Sequence, residues 1–352
     1  MRDTSHELPR RKRINLALQG GGAHGAFTWG VLTRLLEEDE IEIAAISGTS
    51  AGALNGAALK AGLAGGGRAE AQEHLDWLWA QMGAVTDMRL TNWMTALWPA
   101  APLIARMAEV WLSVGTVDYL SQIVSPYSYG PAYMNPLERV VKRLHFEKVR
   151  ADKGPRLYVS ATNVRTGKIR IFDSCEITTD VILASACLPT IFQAVEIDDP
   201  QTGRREAYWD GGYVGNPALF PLYDPALPDD IVIVNINPMT REALPITPLD
   251  IENRVNEISF NASLLRDLRA IAFVKELIAE GKVARGAMKD VNVHMISDDA
   301  LMNDLSATTK LLPTPFFLNG LRQAGWAAAD RFLAEHMEDL NQRSTADISA
   351  ML

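Results

Sequence analysis

Ser50 stands in Gly48-Thr49-Ser50-Ala51-Gly52, a G-x-S-x-G run that closes the apolar stretch 41–47 and precedes the Ala/Leu-rich segment 51–63. A strand that stops at such a run and turns at once into a helix aims the serine hydroxyl out of the turn, where it can serve as a nucleophile. Glycine at 48 and 52 suits that elbow, because so tight a turn has no room for side chains two residues before and after the serine. The helix that follows offers N-terminal amides that favour developing negative charge. On its own the motif is permissive, since glycine and serine also cluster in ordinary turns.

A second glycine cluster lies about thirty residues earlier. Residues 13–19 read as a strand, Gly20-Gly21-Gly22-Ala23-His24-Gly25 as a turn, and 26–38 as a helix through Phe27, Val31, Leu32 and Leu35. Successive glycines expose backbone amides that can converge on one anionic oxygen, as an oxyanion hole requires. Gly20, Gly22 and Gly25 also satisfy G-x-G-x-x-G, the dinucleotide-binding pattern. That reading expects an acidic residue at the end of the second strand, and here the second strand ends in the Gly48–Gly52 elbow instead.

These elements need a scaffold. Strand candidates fall at 13–19, 41–47, 156–162, 168–172, 194–197, 206–209, 230–236 and 291–296, with helical patterns between many of them. The alternation predicts an α/β fold, a three-layer α/β/α sandwich around a mainly parallel sheet. The segments 195–197 and 206–209 flank a turn and read as a hairpin that delivers Asp210 from its second strand. Ile251, Val255, Ile258, Leu265, Leu268 and Ile271 recur at helical spacing, so 249–285 is expected to form one long amphipathic helix or two.

Composition narrows the function classes. A formal net charge of −9 lacks the basic footprint of a nucleic-acid partner. Cys175 and Cys187 are too few for a disulfide framework and read as small buried side chains. None of the six histidines pairs with another at metal-ligand spacing, so no metal or other cofactor is expected. The apolar region 91–114 is interrupted by Pro99, Pro102, Arg106 and Glu109, so it cannot present the roughly twenty apolar residues of a membrane span. The polar N-terminus lacks a signal-peptide pattern, and the basic run Arg10–Arg13 reads as solvated. The chain is expected to be cytoplasmic, or peripheral at the inner face of a membrane.

With Asp210-Gly211-Gly212 as a third ordered motif, the chain resembles the patatin-like phospholipase family. The block Ala184–Pro189 and the segments 249–285 and 303–340 extend the resemblance over most of 13–340. The resemblance implies a patatin-like fold, with a catalytic domain at 13–240, a cap or lid-like insertion near 85–135, and a mainly helical C-terminal extension at 241–345. It also implies a Ser50–Asp210 dyad without histidine, an oxyanion loop drawn from Gly20, Gly21, Gly22 and Ala23, and support from His24, Gly25, Gly211 and Gly212. His24 departs from the pattern, because the family usually has Arg or Lys there. A neutral imidazole supplies no fixed charge, and its expected role is to brace the loop rather than to move a proton. The implied substrate is a phospholipid or related lipid ester. A short-chain or polyester esterase, an acyltransferase, and a catalytically silent lipid-binding or regulatory protein remain open. Trp93, Trp98 and Trp111 in the insertion would either pack its core or face lipid.

Overall fold

A computed structural model describes residues 11–87, 125–128, 133–242, 244–305, 309–310 and 313–352. The expected insertion near 85–135 lies almost wholly outside the described residues, as do its three tryptophans. In chain order the main elements are β1 (Lys12–Leu18), α1 (Gly25–Glu37), β2 (Ile41–Gly48), α2 (Ala51–Gly65) and α3 (Arg68–Asp87). They continue with β3 (Arg156–Asn163), β4 (Ile169–Asp173), α4 (Thr179–Ser185), β5 (Val195–Asp199) and β6 (Arg204–Asp210). The last four are β7 (Asp230–Val234), α5 (Pro248–Ala279), β8 (Asn292–Ile296) and α6 (Pro315–His336).

The strands form one mixed sheet in the order β5-β6-β3-β2-β1-β7-β8, with β4 also paired to β3. The five strands from β3 through β2, β1 and β7 to β8 run parallel, whereas β4, β5 and β6 join antiparallel. Side-chain alternation explains why both faces are covered. In β1, Ile14, Leu16 and Leu18 point into one core and Ala17 into the other, and in β7 Val232 and Val234 oppose Ile231 and Ile233. The first core is closed by α1, α2, α3, α4 and α6, and the second by α5 with Leu219, Leu222 and Ile348. The result is the expected three-layer sandwich. Residues 241–345 supply one edge strand and a helix to each outer layer.

Local sequence sets the helix starts. Thr247 and Asp250 form a reciprocal capping box with Pro248 in the first turn, and α5 then runs unbroken as a single helix. Thr314 caps α6, and Thr178 caps α4.

The β5–β6 hairpin is fastened by a buried charge network. The Arg170 guanidinium on β4 donates to both carboxyl oxygens of Asp199 at the end of β5, and the Tyr208 hydroxyl on β6 donates to Asp199 Oδ2 at 2.5 Å. Together these contacts tie the strand that carries Asp210 to its neighbours.

Candidate active site

Sheet register brings the two candidate catalytic residues together. Along one edge of β3, β2 pairs upward as far as Gly48 opposite Val159, and β6 comes down the same edge with Asp210 opposite Ala161. The other edge is taken by β4. The chain leaving β2 at the elbow therefore arrives level with Asp210. No local feature of either motif encodes this meeting.

Ser50 has φ 54° and ψ −121°, a left-handed conformation that a side chain rarely adopts, and it is 8% exposed. Such strain at a serine between a strand and a helix is the geometry of a nucleophile elbow. A Cβ placed on Gly52 would come 2.1 Å from the Leu18 carbonyl oxygen, and one on Gly48 would come 2.6 Å from that of Gly52. Both glycines are thus required by close backbone approach, Gly48 within the elbow turn, as the sequence suggested, and Gly52 against the carboxyl end of β1. The Ser50 amide donates to Ser185 Oγ at 2.9 Å, and Thr49 Oγ1 donates to the Gly215 carbonyl at 2.7 Å. These contacts tie the elbow to the last residue of α4 and to the loop that follows β6.

Asp210 is 1% exposed. Its backbone is pinned by the amide bond to the Cys187 carbonyl and by the Thr162 hydroxyl on its own carbonyl, each within 2.8 Å. Oδ1 accepts the Gly212 amide at 2.7 Å, whereas Oδ2 is buried with no hydrogen-bond partner among the described residues. Burial pushes the carboxyl up to about 7, against the opposing pull of the Gly212 amide and the neighbouring Ser50 hydroxyl. A carboxylate that titrates near neutrality is a far better proton acceptor than an ordinary aspartate.

The glycine turn lies at the same end of the sheet. Gly22–His24 form a single 3-10 turn, and the amides of Gly21, Gly22 and Ala23 have no partner among the described residues. Gly20, expected among the donors, is committed elsewhere: its amide donates to Asn216 Oδ1 at 2.6 Å, so it anchors the loop. Gly25 starts α1, and the Asn55 side chain donates to its carbonyl at 3.0 Å.

His24 is 2% exposed and its Nε2 shares a 2.7 Å hydrogen bond with Thr309 Oγ1, not with Ser50 or Asp210. Burial first, then the positive charges of Lys310 and Arg241, lower its pKa to about 3, so the imidazole is neutral near pH 7.

Four buried carboxamides that sequence reasoning overlooked hold the turn in place. Gln19 Oε1 accepts the amides of Ile236 and Asn237, Asn237 Nδ2 donates to the Gly20 carbonyl at 2.8 Å, and Asn216 takes the Gly20 amide. Asn261 on α5 donates to the Pro238 carbonyl at 2.9 Å and accepts from Gln19. A signal was present, since Gln19 and Asn237 both follow apolar strands at their carboxyl ends, where open α/β sheets place their sites. Among the described residues no cluster of three or more His, Cys, Asp or Glu is placed to hold a metal ion. A concavity of about 460 Å³ beside Arg170, Glu176 and Phe220 includes neither Ser50 nor Asp210.

The patatin-like phospholipase profile matches residues 16–223, more than half of the chain, and spans the glycine turn, the elbow and the acid motif. The chain belongs to the patatin-like phospholipase family. Among solved structures it is similar to VipD from Legionella pneumophila at 15% identity, with 93% of this chain and 67% of that one covered and a TM-score of 0.42. A comparison with curated proteins finds no match. Membership implies lipid acyl hydrolase activity, and no helix among the described residues is long and apolar enough to cross a membrane.

Proposed function

We propose that this protein is a serine lipid acyl hydrolase that cleaves carboxylic esters of phospholipids or related lipids through a Ser50–Asp210 dyad and an acyl-enzyme. The observation that carries the reading is the strained Ser50 beside a buried carboxyl whose Oδ2 has no other partner among the described residues. Asp210 takes the hydroxyl proton as Ser50 Oγ attacks the acyl carbonyl, and the amides of Gly21, Gly22 and Ala23 receive the oxyanion. Collapse of the tetrahedral intermediate breaks the ester bond, and protonated Asp210 returns the proton to the leaving alcohol. Water then attacks the acyl-enzyme with Asp210 as base, which frees the carboxylic acid and restores Ser50. His24 braces the loop.

The outward row of α5 favours aggregated lipid over a small soluble ester. Ile251, Val255 and Ile258 are each about half exposed and share one stripe with exposed Arg266 and Arg269. An apolar stripe that continues into two arginines suits an interface of acyl chains and phosphate headgroups.

Fluorophosphonate labelling with peptide mapping, alongside fatty-acid release from phosphatidylcholine vesicles, tests the reading. Labelling confined to Ser50 and vesicle hydrolysis lost in Ser50→Ala are expected. Hydrolysis of soluble short-chain esters without vesicle hydrolysis would replace the lipid reading with a short-chain esterase. No labelling of the folded protein would favour a silent lipid-binding protein.

A further inference from the structure

The glycine turn is gripped from outside the family motifs by residues 309–310. The Lys310 ammonium donates to Asn237 Oδ1 at 2.8 Å, and a Cβ on Gly22, where φ is +58°, would come 2.4 Å from the Lys310 carbonyl oxygen. Thr309 meets His24 on the same side. We propose that Lys310 is a positioning residue for the oxyanion loop, acting through Asn237, a role that rests on the hydrolase reading above.

The argument is one of hydrogen-bond polarity. A carboxamide can flip and exchange its oxygen for its nitrogen, but an ammonium only donates. With Lys310 on Oδ1, Asn237 must turn Nδ2 towards the Gly20 carbonyl at 2.8 Å and Gln19 Oε1 at 3.1 Å. The Gly20–Gly21 peptide is then held through its carbonyl, and the Gly20 amide is held by Asn216. The next amides along the chain are those of Gly21, Gly22 and Ala23. Their direction follows from that clamp, and a misdirected oxyanion donor costs catalysis far more than it costs fold.

The clamp depends on charge. Lys310 lies near Glu257 on α5, near Arg241, which pairs with Glu257 as Arg254 also does, and near His24, which is neutral near pH 7. Burial pulls the ammonium down to about 8, opposed by Glu257 and helped by Arg241. Above that pH the neutral amine donates to Oδ1 without its charge, so the hold on Asn237 weakens, although the Gly20 carbonyl and Gln19 Oε1, which only accept, still face Nδ2.

The test compares wild type, Lys310→Gln and Lys310→Arg in pre-steady-state acylation of Ser50 by a soluble ester from pH 6 to 10, with melting temperatures for each. Wild type should rise through pH 7 as Asp210 ionises and fall above pH 8. Lys310→Gln, which can donate but carries no charge, should acylate at least tenfold more slowly at pH 7.5 with KM within about twofold of wild type and without the fall above pH 8. Lys310→Arg, which stays protonated, should also lack the fall. Acylation by Lys310→Gln at the wild-type rate would overturn the proposal. So would a Lys310→Arg profile that coincides with wild type from pH 7 to 10, even if Lys310→Gln failed to fold. A wild type that never acylates would overturn the hydrolase reading, and this role with it.

Discussion

Replacing Asp210 by asparagine should stabilise the folded protein while it abolishes catalysis. The carboxyl is fully buried, and desolvation raises its pKa from 3.8 to about 7. Because the folded state binds the proton more tightly than the unfolded chain does, stability falls as pH rises from 3.8 to 7 and is level above that. At about 1.36 kcal/mol for each pH unit, the gap corresponds to about 4 kcal/mol at pH 8. Asparagine has the same shape, still accepts the Gly212 amide through Oδ1, and never ionises. With an unfolding entropy near 2.1 cal/mol/K per residue, about 4 kcal/mol across this chain is about 5 °C in melting temperature. Urea or thermal unfolding of both proteins between pH 4 and 8 is the assay. Asp210→Asn should match wild type near pH 4 and exceed it progressively towards pH 8, with acylation of Ser50 reduced by about a thousandfold or more. Equal stability at pH 8, or a difference that does not change with pH, would refute the claim that Asp210 is a desolvated base.

Three further outcomes are expected. Ser50→Gly should raise stability by about 1–3 kcal/mol by releasing the left-handed strain, with all Ser50-dependent activity lost, as read by urea unfolding and ester hydrolysis. His24→Gln should keep acylation within about fivefold of wild type, since the imidazole bonds Thr309 rather than the dyad. The His24 pKa falls from 6.5 to about 3 on folding, so its contribution to stability is intact above pH 6.5 and is lost as pH falls towards 3. Acid unfolding of His24→Gln should therefore begin at lower pH than that of wild type. Arg170→Met should cost about 3–5 kcal/mol by stranding Asp199, and acylation should slow with it because the hairpin carries Asp210. Unchanged unfolding of that variant would show that the network does not fasten the hairpin.

Much of the scaffold was legible in the chain. All eight strand candidates correspond to strands of the sheet, because the five parallel strands are short, largely buried apolar runs bounded by turns and the three antiparallel ones alternate more and less buried residues, both local signals. The elbow was equally legible. Gly48 is needed because backbone atoms of its own turn come within 3 Å of any added Cβ, a need that residues in one turn announce in sequence, whereas Gly52 is needed against the Leu18 carbonyl at the end of β1, which only the packed sheet supplies. The carboxamides were missed because a buried Gln or Asn looks, in sequence, like any polar residue at a strand end.

By itself, then, the sequence determined the strands, the two glycine turns and the serine elbow, which follow from propensity and sterics over a few residues, while the acid motif was legible only through the resemblance of three ordered motifs. Only the tertiary structure decided that Ser50 and Asp210 meet along one edge of β3, since that depends on which strand lies against which and in what register. It alone turned Gly20 from a donor into an anchor, through Asn216. It alone raised the Asp210 pKa towards neutrality, because desolvation is a property of everything packed around the carboxyl. The same holds for Lys310, which meets the glycine turn from nearly three hundred residues away in sequence, where no spacing rule can reach.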